Sequence, residues 1–538
     1  MLPGVVPFPP ELAQRYRAKG YWRDRSLAQE FAVVFEKYAG RIALVEGEKQ
    51  YTYGDIDRLT DNLALNLLEL GLKPLDRVVP ALPNIAEFVI LYFALQKIGA
   101  IPIAALVTHR FAELNQFVQI SGATACVYPE RQGDFEFEPT VRRVQERNPH
   151  LKHCISLPQL KSLIEKRSGP SKEELKKIRI DPTDPCIFQL SGGTTGIPKL
   201  IPRTHNDYSY NSRTAAPVCG VTADSVLLLA LPAAHNLPLA CPGIQGYFFQ
   251  GGKVALSPST RPEELFKLVE RHRVTHIKVV PALLVRLIND VALPSYDLSS
   301  IKVIQSGGQR MQPETRLKTR ELIPGAFVQE NFGMGEGMLF FVRLGDPPEV
   351  ALETCGRPIS PDDEVRLVDG DGREVRDGEV GELTCRGPYT LRGYFGVPEY
   401  NAKQFTPDGF YCTGDLMRRH PSGNYVVEGR KKDLINRGGE KISAEEIENL
   451  ILTHPAVQNV ACVPVHDANL GEKMCACVIL KENSSLSLDE LVDFLKQREI
   501  AKFKLPESMM VMDDFPVSTF GKVSKKALSE MAEKNANR

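Results

Sequence analysis

The chain of 538 residues is predicted to be α/β: a large N-terminal domain of layered parallel sheets and helices plus a β-rich subdomain, with a small α+β C-terminal domain. Three observations predict this. Short buried strands alternate with amphipathic helices over most of the first 330 residues, the pattern of a parallel sheet covered by helices. From about Val365 the texture changes to short runs divided by Asp369-Gly370-Asp371-Gly372, Asp377-Gly378 and Asp408-Gly409, turns that join antiparallel hairpins. Past Glu428-Gly429-Arg430-Lys431-Lys432-Asp433 the strand–helix rhythm resumes over roughly 100 residues, the size of a small domain. A chain this long exceeds one hydrophobic core. Residues 1–432 are therefore expected to form the large domain and 433–538 the small one.

The elements follow in order. Residues 8–30, opening on Phe8-Pro9-Pro10, form a charged, aromatic N-terminal arm. Residues 55–70 carry apolar side chains at helical spacing and stop at Gly71. Residues 77–82 are a buried strand, 86–97 a helix stopped near Gly99, 101–106 a short apolar run and 111–120 a helix. Residues 159–180 are charged and peripheral, with 172–177 a solvated helix face. Strands are expected at 226–231, 253–256 and 276–280, with a helix at 262–272. A strand at 301–305 leads into Ser306-Gly307-Gly308. Near the C-terminus, Ser443-Ala444-Glu445-Glu446 is a capping box opening a helix that buries Ile447, Leu450 and Ile451. Strands at 457–464 and 474–480 and a helix at 487–498 complete the series.

Composition excludes several classes. Hydrophobic and charged contents of 43% and 25% are those of an ordinary globular protein. A formal net charge of −1 without a sustained basic patch gives no attraction to nucleic acid or anionic membrane. The longest apolar stretch, residues 88–106, is broken by Gln96, Lys97, Gly99 and Pro102, so it is buried helix plus strand and not a membrane span. The N-terminus lacks a basic-then-apolar leader. Eleven cysteines without CxxC pairs fit free thiols in a reducing compartment, so a cytoplasmic location is expected.

The chemistry concentrates at Ser191-Gly192-Gly193-Thr194-Thr195-Gly196-Ile197-Pro198-Lys199. Glycines let bare N–H groups approach an anion, the hydroxyls add short donors and Lys199 adds charge, which together make a phosphate cradle. It is not the usual P-loop, because Pro198 separates glycine from lysine. Most Gly/Ser/Thr loops are plain surface loops; the ordered run ending in Pro-Lys between apolar segments favours phosphate.

Further motifs stand in register with that loop: Phe332-Gly333-Met334-Gly335-Glu336, Tyr411-Cys412-Thr413-Gly414-Asp415, Gly429-Arg430, Gly438-Gly439-Glu440-Lys441 and Gly521-Lys522. Together they resemble the adenylate-forming superfamily over essentially the whole chain. Leu200–Tyr208, Ala234-His235-Asn236, Arg386-Gly387-Pro388-Tyr389 and Ile435–Lys441 resemble more closely the stand-alone aryl-acid AMP ligases of siderophore assembly.

The resemblance implies ATP-dependent activation of an aryl carboxylic acid, with salicylate favoured, to aryl-AMP with release of pyrophosphate. Transfer to the phosphopantetheine thiol of an aryl carrier protein on a separate chain would follow, with CoA as the other acceptor. It implies ATP and Mg²⁺, with Ser191, Gly192, Gly193, Thr194, Thr195, Gly196 and Lys199 around the phosphates and Glu336 assisting magnesium. Gly308, Phe332 and Gly333 would line the nucleotide, and Asp415 and Arg430 the ribose. Lys522 would bridge carboxylate and α-phosphate, Asp433 would be the hinge, and Gly438, Gly439 and Lys441 would face the thiol tunnel. In the acid pocket, His235 would lie near the reacting carboxylate and Asn236 would bond the ortho hydroxyl, beside Cys241, Gly307 and Leu339.

Cys241 and Leu339 stand where 2,3-dihydroxybenzoate enzymes commonly carry serine and valine, and so favour salicylate. Leu237, Gln309 and Gly335 depart from the family pattern and leave room for a substituted salicylate or a hydroxypicolinate-like acid. Other readings are a 2,3-dihydroxybenzoate-AMP ligase, an aryl-CoA ligase and a non-catalytic nucleotide-binding relative. Read alone, each residue has a plainer role: Phe332 as core, Asp415 as a turn residue, Lys522 as a solvated helix start, Cys241 as a small hydrophobe.

Overall fold

The computed structural model describes residues 1–166, 172–191, 198–308, 310–311, 313–437, 440–467, 469–498, 500–517 and 523–536. Contacts divide the chain into two units, Met1–Glu364 with Cys385–Tyr411, and Val365–Thr384 with Cys412–Arg538. Asp433, the expected hinge, lies within the second unit.

The first unit is built on a nine-stranded sheet. Its strands in chain order are β1 (Ile42–Glu46), β2 (Lys49–Thr52), β5 (Val226–Leu229), β6 (Lys253–Leu256), β7 (His276–Val279), β8 (Val303–Gly307), β9 (Phe327–Met334), β10 (Gly337–Phe341) and β11 (Arg357–Pro358); β3 (Pro185–Leu190) and β4 (Leu200–Thr204) form a separate hairpin. The spatial order is β11-β10-β9-β8-β7-β5-β6-β1-β2. The run from β9 to β1 is parallel, and only the margins, β9–β10–β11 and β1–β2, are antiparallel. The strands expected at 226–231 and 276–280 each end a residue or two early, because pairing stops where the chain turns toward the site.

One face of this sheet packs on the helices Pro262–His272 and Pro281–Ile288 through Leu228, Ile277, Val279, Ile304, Leu265, Val269 and Leu284. A second, four-stranded parallel sheet has the order Ile101–Pro102, Arg77–Pro80, Ala125–Tyr128, His153–Ser156. The helix Ala86–Ile98 is buried around nearly its whole circumference, down to Glu87 and Gln96. That explains why its sequence shows an apolar run and little amphipathic pattern. The N-terminal arm is tied down: Trp22 Nε1 donates to Pro388 O at 2.9 Å and Arg15 pairs with Asp362 at 2.8 Å.

Within the second unit, Asp-Gly turns act as expected. Asp369 Oδ1 accepts from the backbone N–H of Asp371 and Arg373, and Gly372 and Gly378 take positive φ. A five-stranded sheet orders Glu440–Ser443, Leu434–Arg437, Gly471–Leu480 and Val457–Asp467, with Ser508–Val511 pairing parallel to Gly471–Leu480. Its core includes Ile435, Ile442, Ile447, Ile451, Val478 and Leu491. The capping box at Ser443 is half made. Ser443 Oγ accepts from Glu446 N, but the Glu446 carboxylate is drawn to Lys504 Nζ at 2.6 and 2.8 Å instead of returning to the cap. An ammonium is a stronger partner than a backbone N–H. No helix among the described residues is long and apolar enough to cross a membrane.

Candidate active site

The strands β7, β8 and β9 deliver their C-terminal ends to one edge of the sheet, where ligands bind in open α/β folds. The hairpin β3–β4 stands beside them in the same unit. Leu190 pairs with Leu200, and beyond that pair Ser191 and Lys199 close the hairpin. Ser191 N donates to Lys199 O at 3.0 Å, and Lys199 N donates to Ser191 Oγ at 2.9 Å. The expected cradle is therefore anchored at both ends. Gly192, Gly193, Thr194, Thr195 and Gly196 lie outside the described residues, as do Gln309, Gly438, Gly439 and Lys522.

Lys199, Tyr400, Tyr394 and Glu336 form a connected row. The Lys199 ammonium stands 4.0 Å from the Tyr400 ring centroid, and Tyr400 meets Tyr394 edge-on at 5.4 Å. Tyr394 Oη donates to Glu336 Oε1 at 2.7 Å and lies 2.8 Å from Tyr411 Oη. Burial, then the Glu336 carboxylate, push the Tyr394 phenol far above its ordinary range, so it stays a neutral donor. The turn carrying Glu336 is fixed from two sides. Arg203, fully buried on β4, donates to Gly335 O and Tyr389 O, each at 3.1 Å, and to Asp207 at 2.9 Å. Gly337 has φ +103°, and a Cβ there would stand 2.1 Å from Tyr389 O. Only glycine fits.

The residues expected to line an acid pocket lie on or beside β8, β9 and β10 and two helices, α1 (His205–Val218) and α2 (Asn236–Ala240). His235, half-buried, is the N-cap residue of α2. Asn236 is held in one orientation: Tyr208 Oη donates to its Oδ1 at 2.9 Å and its Nδ2 donates to Met334 O at 3.1 Å. Gln189 Nε2 in turn donates to Tyr208 Oη at 3.1 Å. This chain of bonds assigns the amide and engages one of the two Asn236 N–H groups.

Cys241 is buried, with Asn211 Nδ2 3.6 Å from its Sγ; burial pushes its thiol up, so it is a neutral, weak partner. Leu339 is buried on β10 opposite Gly333, where a Cβ would lie 2.6 Å from Leu339 Cδ2. Gly307 is as tightly placed, its Cβ position 2.5 Å from Asn331 Nδ2, and Gly308 follows with φ +90°. Phe332 is half-buried and meets Phe340 edge-on at 5.6 Å.

In the second unit, Asp415 and Arg430 are cross-strand partners on Tyr411–Arg419 and Tyr425–Arg430, and Arg430 Nε donates to Asp415 Oδ1 at 2.6 Å. Asp415 Oδ2 is buried with no hydrogen-bond partner, an acceptor unused by the protein. Asp433 ends a short 3₁₀ turn before Leu434–Arg437.

Sequence reasoning missed the residues that hold these groups. Apart from Asp207, four residues from Arg203, the partners of Tyr208, Gln189, Arg203 and Tyr394 are 17 to 186 positions away in the chain, and no local spacing reveals them. Arg203 alone carried a signal, a charged residue inside an apolar strand next to a capping Thr-x-x-Asp at Thr204–Asp207.

Residues 31–395 match the AMP-binding enzyme model and residues 446–522 its C-terminal domain. A Streptomyces protein described as "Salicylyl-CoA synthase / salicylate adenylyltransferase" is 43% identical, with 99% of this chain and 98% of that protein covered. The 2,3-dihydroxybenzoate-AMP ligase of Bacillus subtilis is 41% identical over 98% of both chains. The apo structure of MbtA from Mycobacterium smegmatis is similar at TM-score 0.76 and 40% identity, again over 98% of both. The chain belongs to the AMP-binding enzyme family.

Proposed function

We propose that this chain activates a 2-hydroxyaryl carboxylic acid, salicylate in the first instance, with ATP, and passes the acyl group to a phosphopantetheine thiol. The observation that carries the reading is the Asn236 amide, oriented by Tyr208 and Met334 so that one N–H remains to meet an ortho hydroxyl oxygen. Cys241 and Leu339 support salicylate over its 3-hydroxy analogue, since a neutral buried thiol and a leucine offer little to a second hydroxyl.

The first step brings an acid carboxylate to the α-phosphorus of ATP as pyrophosphate leaves. It calls for cations and positioned donors and for no covalent nucleophile. Ser191 and Lys199 anchor the cradle for the outer phosphates, Phe332 offers a face to adenine, and Asp415 Oδ2 offers an acceptor to the ribose. Glu336 fits a magnesium ligand. Among the described residues there is no cluster of three His, Cys, Asp or Glu that could hold a metal, and a hard ion bound by one carboxylate and substrate phosphates needs none. Magnesium, when bound, would neutralise phosphate charge. Lys522 would donate to carboxylate and α-phosphate oxygens, and rotation at Asp433 of residues 433–538 against 1–432 would then exchange it for Gly438–Lys441 at the thiol.

ATP–pyrophosphate exchange across salicylate, 2,3-dihydroxybenzoate, benzoate and a hydroxypicolinate tests the reading. Strongest exchange with salicylate is expected; none with any aryl acid overturns it. A CoA acceptor is the second reading, favoured by the description of the Streptomyces relative. Offering CoA and an unacylated, phosphopantetheinylated carrier protein separately to preformed aryl-adenylate decides between them.

A further inference from the structure

Lys278 is a cation that the chemistry above leaves unused. It lies on β7, and its neighbour on the same face, His276, packs edge-on against Tyr247 at 5.6 Å with Nε2 3.2 Å from Cys219 O. That face is opposite the apolar one formed by Ile277 and Val279. Lys278 is 1% exposed, and no Asp or Glu among the described residues pairs with it. Its Nζ donates to one acceptor, Cys241 O, at 2.5 Å. An ammonium has three donors, and burying one without a carboxylate is costly.

Unused acceptors border the same wall. Gln305, directly opposite Lys278 in the β7–β8 register, has a buried Oε1 with no hydrogen-bond partner. So has Asn211 on α1, whose Nδ2 donates to Ala240 O at 2.7 Å beside Cys241. Donors left over on one side and acceptors on the other, bracketing a pocket residue, mark a niche for a polar group that the polypeptide does not supply. Burial lowers the Lys278 pKa to about 8, which still leaves it mainly protonated at neutral pH.

We propose that Lys278 is a second recognition point of the acid pocket, selecting aryl acids with a hydroxyl-like, hydrogen-bond-accepting substituent on the ring edge remote from the carboxylate. The substituent accepts from Lys278 Nζ and donates to Asn211 Oδ1 or Gln305 Oε1, while Asn236 reads the ortho hydroxyl. This rests on the aryl-acid reading above and narrows its substrate class.

The test compares isosteric pairs in pyrophosphate exchange: 4-hydroxy- against 4-methylsalicylate, and 5-hydroxy- against 5-methylsalicylate, with salicylate as reference. The wild-type protein is expected to favour hydroxyl over methyl in kcat/KM by about tenfold or more at one of the two positions. Lys278→Met is expected to erase that preference, mainly through KM, so that the hydroxyl-to-methyl ratio of kcat/KM falls to about one whatever the absolute rate with salicylate. Wild-type protein that does not distinguish hydroxyl from methyl at either position overturns the proposal, and this arm needs no variant. A Lys278→Met protein that loses every acid in equal proportion also overturns it, and assigns Lys278 to holding the Cys241 carbonyl. Exchange with salicylate but without hydroxyl preference refutes only the Lys278 role; no exchange with any acid refutes the aryl-acid reading itself.

Discussion

Tyr208→Phe removes one oxygen and with it two hydrogen bonds, the one Tyr208 Oη donates to Asn236 Oδ1 at 2.9 Å and the one it accepts from Gln189 Nε2 at 3.1 Å. The ring is fully buried and stays in place, so no cavity follows. Asn236 keeps its bond to Met334 O and loses what fixes its other end. A neutral hydrogen bond contributes about 1 kcal/mol net, and an orphaned buried partner costs about 1–3 kcal/mol. The stability loss should therefore be about 2 kcal/mol, read as a shift in the denaturant midpoint at unchanged slope. An amide no longer held should lose about 1–2 kcal/mol of discrimination for the ortho hydroxyl, roughly a five- to thirtyfold fall in the salicylate-to-benzoate ratio of kcat/KM. Pyrophosphate exchange with the two acids on folded variant measures it. An unchanged ratio in a destabilised protein would show that Asn236 does not read that hydroxyl.

Gly337→Ala should destabilise the Glu336 turn severely, because φ is +103° and the new methyl would meet Tyr389 O at 2.1 Å; a melting temperature within a degree or two of wild type would contradict the geometry. Tyr394→Phe should lower kcat several-fold and raise the magnesium concentration needed for half-maximal rate, since Glu336 loses its 2.7 Å donor; an unaltered magnesium titration would remove Tyr394 from the site. Lys522→Ala should suppress adenylate formation far more than thiol transfer from preformed adenylate, and equal losses in both steps would count against the domain rotation. Lys278 has a folded pKa of about 8 against an ordinary 10.5, lowered by burial, so the unfolded chain binds the extra proton between those values and stability rises with pH across that window. The gain is of order 3 kcal/mol; Lys278→Met should abolish it and raise stability at pH 7, whereas parallel wild-type and variant pH profiles would place the ammonium in water.

Much of the fold was legible because its signals are local. The helix 262–272 and the strand 253–256 match their expected bounds residue for residue, since a proline start and an apolar run between glycine and serine leave little choice. The Asp-Gly turns after Val365 declared themselves through side-chain bonds only two to four residues long. The Glu446 half of the capping box failed because a lysine 58 residues away won its carboxylate, a competition no window around Ser443 contains. The site divides the same way. Glycines and hydroxyls in one loop could be read directly, whereas the bonds orienting Asn236 and Glu336 join distant segments. A charge inside the apolar strand Leu200–Thr204, Arg203, was the one such signal in the sequence.

The central claim is that an oriented amide and a phosphate cradle in one unit convert an ortho-hydroxy aromatic acid into its adenylate. Aryl-acid-dependent exchange of labelled pyrophosphate into ATP by the intact chain measures this most directly. Rapid exchange with salicylate that falls at least tenfold with benzoate is the predicted result. Equal rates with both acids, or a rate indistinguishable from that without acid, would contradict it.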